Sequence, residues 1–198
     1  MTVAEGVDYI RMLLDESGIE AYTDSQIIDA ILESSVTKAK EYYARHEKEA
    51  IRNLYREDDI MSPGTASETI MNIESCLLKT KSAQVAPMVS AVYVPYEQYK
   101  WKQYPNPSKD DTVSGRAEFS YYEDTIYHNG ISALVGYYKL PSARGTAQQL
   151  ELAEYTHPAI IDYAAAKLYR FEVPDKDHAL LGKLYDIEAV LQTIGTIQ

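Results

Sequence analysis

The sequence predicts an α+β protein: a helical bundle, built from a long helix plus a C-terminal antiparallel helix pair, with an inserted antiparallel β block. Three observations carry that prediction. Apolar residues recur at steps of three and four up to about residue 84 and again over 156–198, the period of helices with one buried face. Between about 85 and 155 the chain turns to β-branched, aromatic and alternating residues. The two kinds of chain meet in 131–170. There a strand-like run closes on Pro141, a polar linker follows over 142–154, and Thr156-His157-Pro158 opens a helical pattern at Ile160, Ile161, Ala164, Ala165, Leu168 and Tyr169.

Taken in order, Val7, Ile10, Leu13 and Leu14 give a first helix that Gly18 ends. Thr23-Asp24-Ser25 offers caps for a second. Its stripe runs through Ile27, Ile31, Ala39, Tyr42, Tyr43, His46, Ala50, Ile51 and Leu54, so one long helix is expected over 24–57. Glu41, Arg45 and Glu49 lie four apart on another face and can form ion pairs of roughly 0.2–0.5 kcal/mol each. A helix that long needs a neighbour to cover it. Ser62-Pro63-Gly64 breaks the pattern. Ile70, Ile73, Leu77 and Leu78 then suggest a third helix over 66–79. Strands are expected at 89–94, 117–122, 125–128 and 131–139, the last two joined by an Asn129-Gly130 hairpin turn. A helix from His157 and a final one through Ala179, Leu184, Leu191 and Ile194 form the antiparallel pair, with Thr156 as cap of the first.

Composition bounds the function. The 198 residues suit one domain, 1–198. No run of 18 apolar residues is present, so no membrane span is expected. The first residues carry acids among apolar positions and no basic start, unlike a signal peptide. With Cys76 as the single cysteine, no intramolecular disulfide can form. A net charge of −11 argues against a module that reads nucleic acid and against an anionic membrane as partner. Nine of the 18 tyrosines fall between Tyr93 and Tyr138, so aromatic surface is concentrated in the β block.

Chemistry is sparse. His46, His128, His157 and His178 do not sit at metal-ligand spacing. Asp175-Lys176-Asp177-His178 suits a helix cap better than a ligand cluster. Cys76 has no basic neighbour in sequence to activate it and reads as a small buried residue. Asp58-Asp59 and Asp110-Asp111 read as solvated turn acids, with a divalent site the weaker alternative. The tyrosines of the β block read as core or protein interface ahead of a saccharide platform. No catalytic, cofactor or metal residue is assigned, and the protein is read as non-enzymatic.

Four stretches carry a resemblance. They are Tyr22-Thr23-Asp24-Ser25-Gln26-Ile27-Ile28 at the start of the long helix, Val92-Tyr93-Val94-Pro95-Tyr96-Glu97-Gln98-Tyr99, Gly136-Tyr137-Tyr138-Lys139-Leu140-Pro141, and His157-Pro158-Ala159-Ile160-Ile161-Asp162-Tyr163-Ala164-Ala165. In this order the chain resembles the head–tail connector, or ring, proteins of tailed bacteriophages, both the tail tubular protein A type and the ring proteins of crAss-like phages. It departs from them over 66–79, which reads as longer and more helical. The resemblance implies a structural virion protein of the neck or tail, made in the bacterial host cytoplasm. It implies a ring, typically a dodecamer, docked under the portal protein, carrying further tail or ring proteins and passing genomic DNA without specific contact. It also implies a C-terminal segment that inserts against the portal. Candidate interface residues are Tyr42, Tyr43, His46, Tyr121, Tyr122, Tyr137, Thr193, Ile194, Ile197 and Gln198. The alternative is a binding module that uses the tyrosine-rich hairpin to hold a saccharide or peptide.

Overall fold

The computed structural model describes residues 1–14, 22–79, 89–102 and 117–172. The chain divides into two compact units, Met1–Leu54 with Pro141–Gln198, and Tyr55–Leu140.

Helices α1 (Val3–Leu13), α2 (Asp24–Ala44) and α4 (His157–Glu172) build the first unit and pack on one another pairwise. Two of them start on reciprocal caps. Thr2 accepts from the Glu5 N–H while Glu5 accepts from the Thr2 N–H, and Thr23 and Gln26 repeat the device on α2. The core takes Val3, Val7 and Ile10 from α1, Ile27, Ile31, Ala39 and Tyr42 from α2, and Ile160, Ile161, Ala164 and Ala165 from α4. Ser34 and Ser35 sit in the buried face of α2, where their hydroxyls donate to the carbonyls of Ala30 and Ile31. Lys38 is also buried. Its ammonium lies 3.0 Å from Glu41 and 4.9 Å from the centre of the Tyr163 ring, so charge pairing and cation–π attraction replace its water. Thr156 does not cap α4: its hydroxyl donates to the Ala153 carbonyl within a 3-10 turn that precedes the helix. The linker at 142–154 is itself ordered, with Glu151 accepting from the N–H groups of Ser142 and Ala143, and Gln148 from those of Arg144 and Gly145.

The second unit holds two four-stranded sheets. One runs β1 (Tyr55–Ile60), β8 (Ser132–Lys139), β3 (Ile70–Lys79), β4 (Val89–Ser90), all antiparallel neighbours. The other runs β2 (Gly64–Thr65), β7 (Thr125–His128), β6 (Glu118–Tyr122), β5 (Val92–Tyr93), with β5 parallel to β6. A short helix, α3 (Tyr96–Lys102), lies between β5 and β6 in sequence. Ile60, Ile70, Cys76, Leu78, Val135 and Tyr137 from the first sheet meet Phe119 and Ile126 from the second in one core.

This architecture corrects the expected helical bundle with an antiparallel β block inserted over about 85–155. Among the described residues of 55–140, eight strands lie in two sheets, so β structure begins about thirty residues earlier than expected. The long helix stops at Ala44. His46 takes φ 62, Glu47 N–H donates to Tyr42 O, and His46 N–H donates to Tyr43 O, the paired bonds of a Schellman ending. Ala50, Ile51 and Leu54 are buried all the same, but in a turn and a 3-10 helix that share the three-residue step. The expected helix at 66–79 is β3. Register shifts between Ile70 and Asn72 and between Ile73 and Ser75 each insert a residue, so Ile70, Ile73 and Cys76 reach the core at steps of three. Asn129-Gly130 closes no hairpin. It carries the chain from β7 in one sheet to β8 in the other, and a Cβ on Gly130 would stand 2.8 Å from the Lys79 carbonyl oxygen. The stop at Gly18, the acids Asp110-Asp111, the cluster at 175–178 and the last helix lie outside the described residues. Among the described residues, no helix is long and apolar enough to cross a membrane.

Candidate functional site

The tight hairpin of the second unit joins β6 to β7 through Glu123 and Asp124, at φ 46 and φ 59. Two consecutive left-handed residues make the turn whose twist matches the strands, a position usually filled by Asn-Gly. Along β6 the side chains alternate. Phe119 and Tyr121 face the core, while Glu118, Ser120 and Tyr122 face the other way. Helix α3 packs against β6, and Pro95 sits just before its first turn, where a missing N–H costs nothing.

Four tyrosines meet there. Tyr96 of α3 stacks on Tyr122 with ring centres 4.4 Å apart and planes 10° from parallel. Tyr127 of β7 tilts against both Tyr96, at 5.0 Å, and Tyr99, at 6.3 Å. Such pairs contribute about 0.5–1.5 kcal/mol each beyond their burial. Tyr93 meets Phe119 edge to face at 5.5 Å. The cluster reaches the surface at Tyr122, which is 43% exposed, and elsewhere in the β unit Tyr93 and Trp101 are exposed as well, with Val92 beside Tyr93 in sequence. Burial pushes the Tyr99 hydroxyl up to about 12. Burial, and then the Asp124 carboxylate that accepts its proton at 2.7 Å, do the same for Tyr121. Both phenols stay protonated at neutral pH: Tyr99 is buried, and the Tyr121 hydroxyl donates to Asp124.

The sequence-predicted residues scatter. Tyr121 and Tyr122 are neighbours on β6 and point to opposite faces. Tyr137 is fully buried in the core, where its hydroxyl donates to Asp58 at 2.8 Å and lies 3.3 Å from the Ser67 hydroxyl. Tyr42 is buried in the helical unit, Tyr43 is half-buried, and His46 is exposed as the ending of α2. Thr193, Ile194, Ile197 and Gln198 lie outside the described residues.

The groups weighed for chemistry have structural work. Asp58 is a β1 residue, not a turn acid. Burial would raise its pKa, but the Ser67 N–H, the Tyr137 and Ser67 hydroxyls and nearby Arg56 outweigh that and hold it below the usual carboxylate value. Asp59 pairs with Lys79 at 3.5 Å. Cys76 is buried in β3, and desolvation pushes its thiol up to about 11, away from a reactive thiolate. His128 and His157 are buried, each with Nε2 against a backbone carbonyl, Ile60 O at 2.9 Å and Leu152 O at 3.1 Å. Among the described residues no group of three or more His, Cys, Asp or Glu side chains is placed to hold a metal ion.

Sequence reasoning passed over α3. Tyr96, Tyr99 and Trp101 follow Pro95 closely, and the three-residue step from Tyr96 to Tyr99 after a proline was the signal for a short helix that lays tyrosines on a sheet. Against known proteins, the chain matches no family model and no curated sequence.

Proposed function

We propose that this protein is a non-enzymatic structural component of a tailed-phage virion, a ring at the neck or tail that joins the portal protein to further tail or ring proteins. The observation that carries the reading is the set of exposed aromatic side chains on the β unit: Tyr122, 43% exposed and stacked on Tyr96, with Tyr93 and Trp101 more exposed still. Large aromatic side chains left exposed together mark a surface that becomes buried on assembly. Three further features support it. The β unit interrupts the helical unit between α2 and α4, which suits the order of elements in connector proteins. The resembling stretches fall at element boundaries, Val92–Tyr99 at the end of β5 and start of α3, 136–141 at the end of β8, and His157 onward at the start of α4. The net charge of −11 lets genomic DNA pass a ring lumen without adhering. A dodecamer is the stoichiometry that the resemblance implies.

The test is the double variant Tyr122→Ser with Trp101→Ser. Trp101 is exposed and loss of the Tyr96–Tyr122 stack should cost no more than about 0.5–1.5 kcal/mol, so the variant should stay folded, while co-sedimentation with the portal protein or ring formation on it should weaken by about tenfold or more. Unchanged assembly in a folded variant would remove this surface from the reading.

A further inference from the structure

On the other side of the same hairpin lies a cleft of about 180 Å³ between the strand-to-strand segment 65–70 and the hairpin tip, lined by Thr65, Glu68, Thr69, Tyr121 and Asp124 among others. From it we infer that the cleft is a binding site for one uncharged sugar unit of a glycan. The volume is small against the roughly 300–1,000 Å³ of sites for drug-sized ligands, so a single ring is the upper limit. Its walls offer what a sugar ring needs: an aromatic side chain for the C–H face, threonine hydroxyls that donate or accept, and two carboxylates that accept from neighbouring hydroxyls. Both carboxylates already have partners within the protein. Asp124 accepts from the Tyr121 hydroxyl at 2.7 Å, and Glu68 pairs with Lys139 at 3.4 Å. The Lys139 ammonium offsets the charge of Glu68, while Asp124, bonded by a neutral phenol, keeps its charge and the capacity to accept from a ligand hydroxyl.

Glu123 and Asp124 hold left-handed φ values that Asn-Gly would adopt at lower cost. The turn seats Asp124 in the cleft lining, where its carboxylate accepts from the Tyr121 hydroxyl. The site does not rest on the connector reading: loss of portal binding would leave it standing, and an unresponsive cleft would leave the connector untouched.

The experiment is an amide NMR titration of the whole chain with glucose, galactose, mannose, N-acetylglucosamine and rhamnose. At least one should shift signals of 65–70 and 121–124 in a saturable way. Asp124→Gly removes the carboxylate and relaxes the turn, so it should keep or raise the unfolding midpoint and weaken the response by about tenfold or more. Tyr121→Phe, which keeps the ring and the core packing, should weaken it less. No saturable shift with any sugar would overturn the inference. So would a response that Asp124→Gly leaves intact, or shifts at these residues with calcium or tetramethylammonium and not with sugars.

Discussion

His46 ends α2 in a conformation that most helices reserve for glycine. Its side chain is exposed, so the left-handed backbone is held without compensating burial. His46→Gly should therefore raise stability by about 0.5–1 kcal/mol, measured by urea denaturation. A loss of stability would mean that the imidazole makes a contact worth more than the backbone cost. The other two described histidines act through protons. Burial, the largest cause in each, lowers the pKa of His128 and His157 below the ordinary 6.5. The unfolded chain then binds protons more readily than the folded one. Stability is full above 6.5 and is lost as pH falls below it toward the depressed folded values, by at most about 1.4 kcal/mol per pH unit for each histidine. Denaturation midpoints at stepped pH should fall through that window, and a flat profile from about pH 7 to about pH 5 would contradict the burial argument. At this scale the sequence was a poor guide. His46 sits in phase with the apolar stripe of α2, and nothing in a histidine announces a helix ending, whereas a glycine there would have.

Elements were legible where one physical rule dominated. Amphipathic α1 lies where the apolar period puts it, the start of α2 lies where the period and the Thr23 cap put it, and β7 matches its expected span. Reading failed where two rules give the same spacing. The bulges in β3 bring Ile70, Ile73 and Cys76 inward at a helical step, and only the β-branched Thr69, Ile70 and Ile73 hinted at a strand. The Asn129-Gly130 pair signalled a hairpin, yet Gly130 is required by close approach to the Lys79 carbonyl as the chain changes sheets. The true hairpin used Glu-Asp, which carries no such signal. Replacing Glu123-Asp124 by Asn-Gly should accordingly stabilise the β unit by about 1 kcal/mol, read from its amide exchange rates or thermal midpoint. A destabilised double variant would show that the Asp124–Tyr121 bond outweighs the turn strain. The aromatic cluster was half legible: tyrosine density placed it in the β block, but its assembly depends on α3 packing against β6, a contact between elements that local sequence does not encode.

At the scale of the whole molecule, each unit has its own core, and the chain leaves the helical unit after Leu54 and returns at Pro141. The β unit presents aromatic side chains to solvent and the chain carries eleven net negative charges. The charge opposes non-specific association, and the exposed aromatic side chains favour a partner with a fitted apolar surface. The central claim is that this partner is a portal ring and neighbouring copies bound to it. Sedimentation of the purified chain, alone and with the portal protein encoded nearby in the same genome, tests it most directly. The account predicts that the chain joins the portal in a fixed ring stoichiometry, which the resemblance puts at twelve copies, and that excess chain stays behind at its own mass. A chain that sediments at the same rate whether or not the portal is present would contradict it.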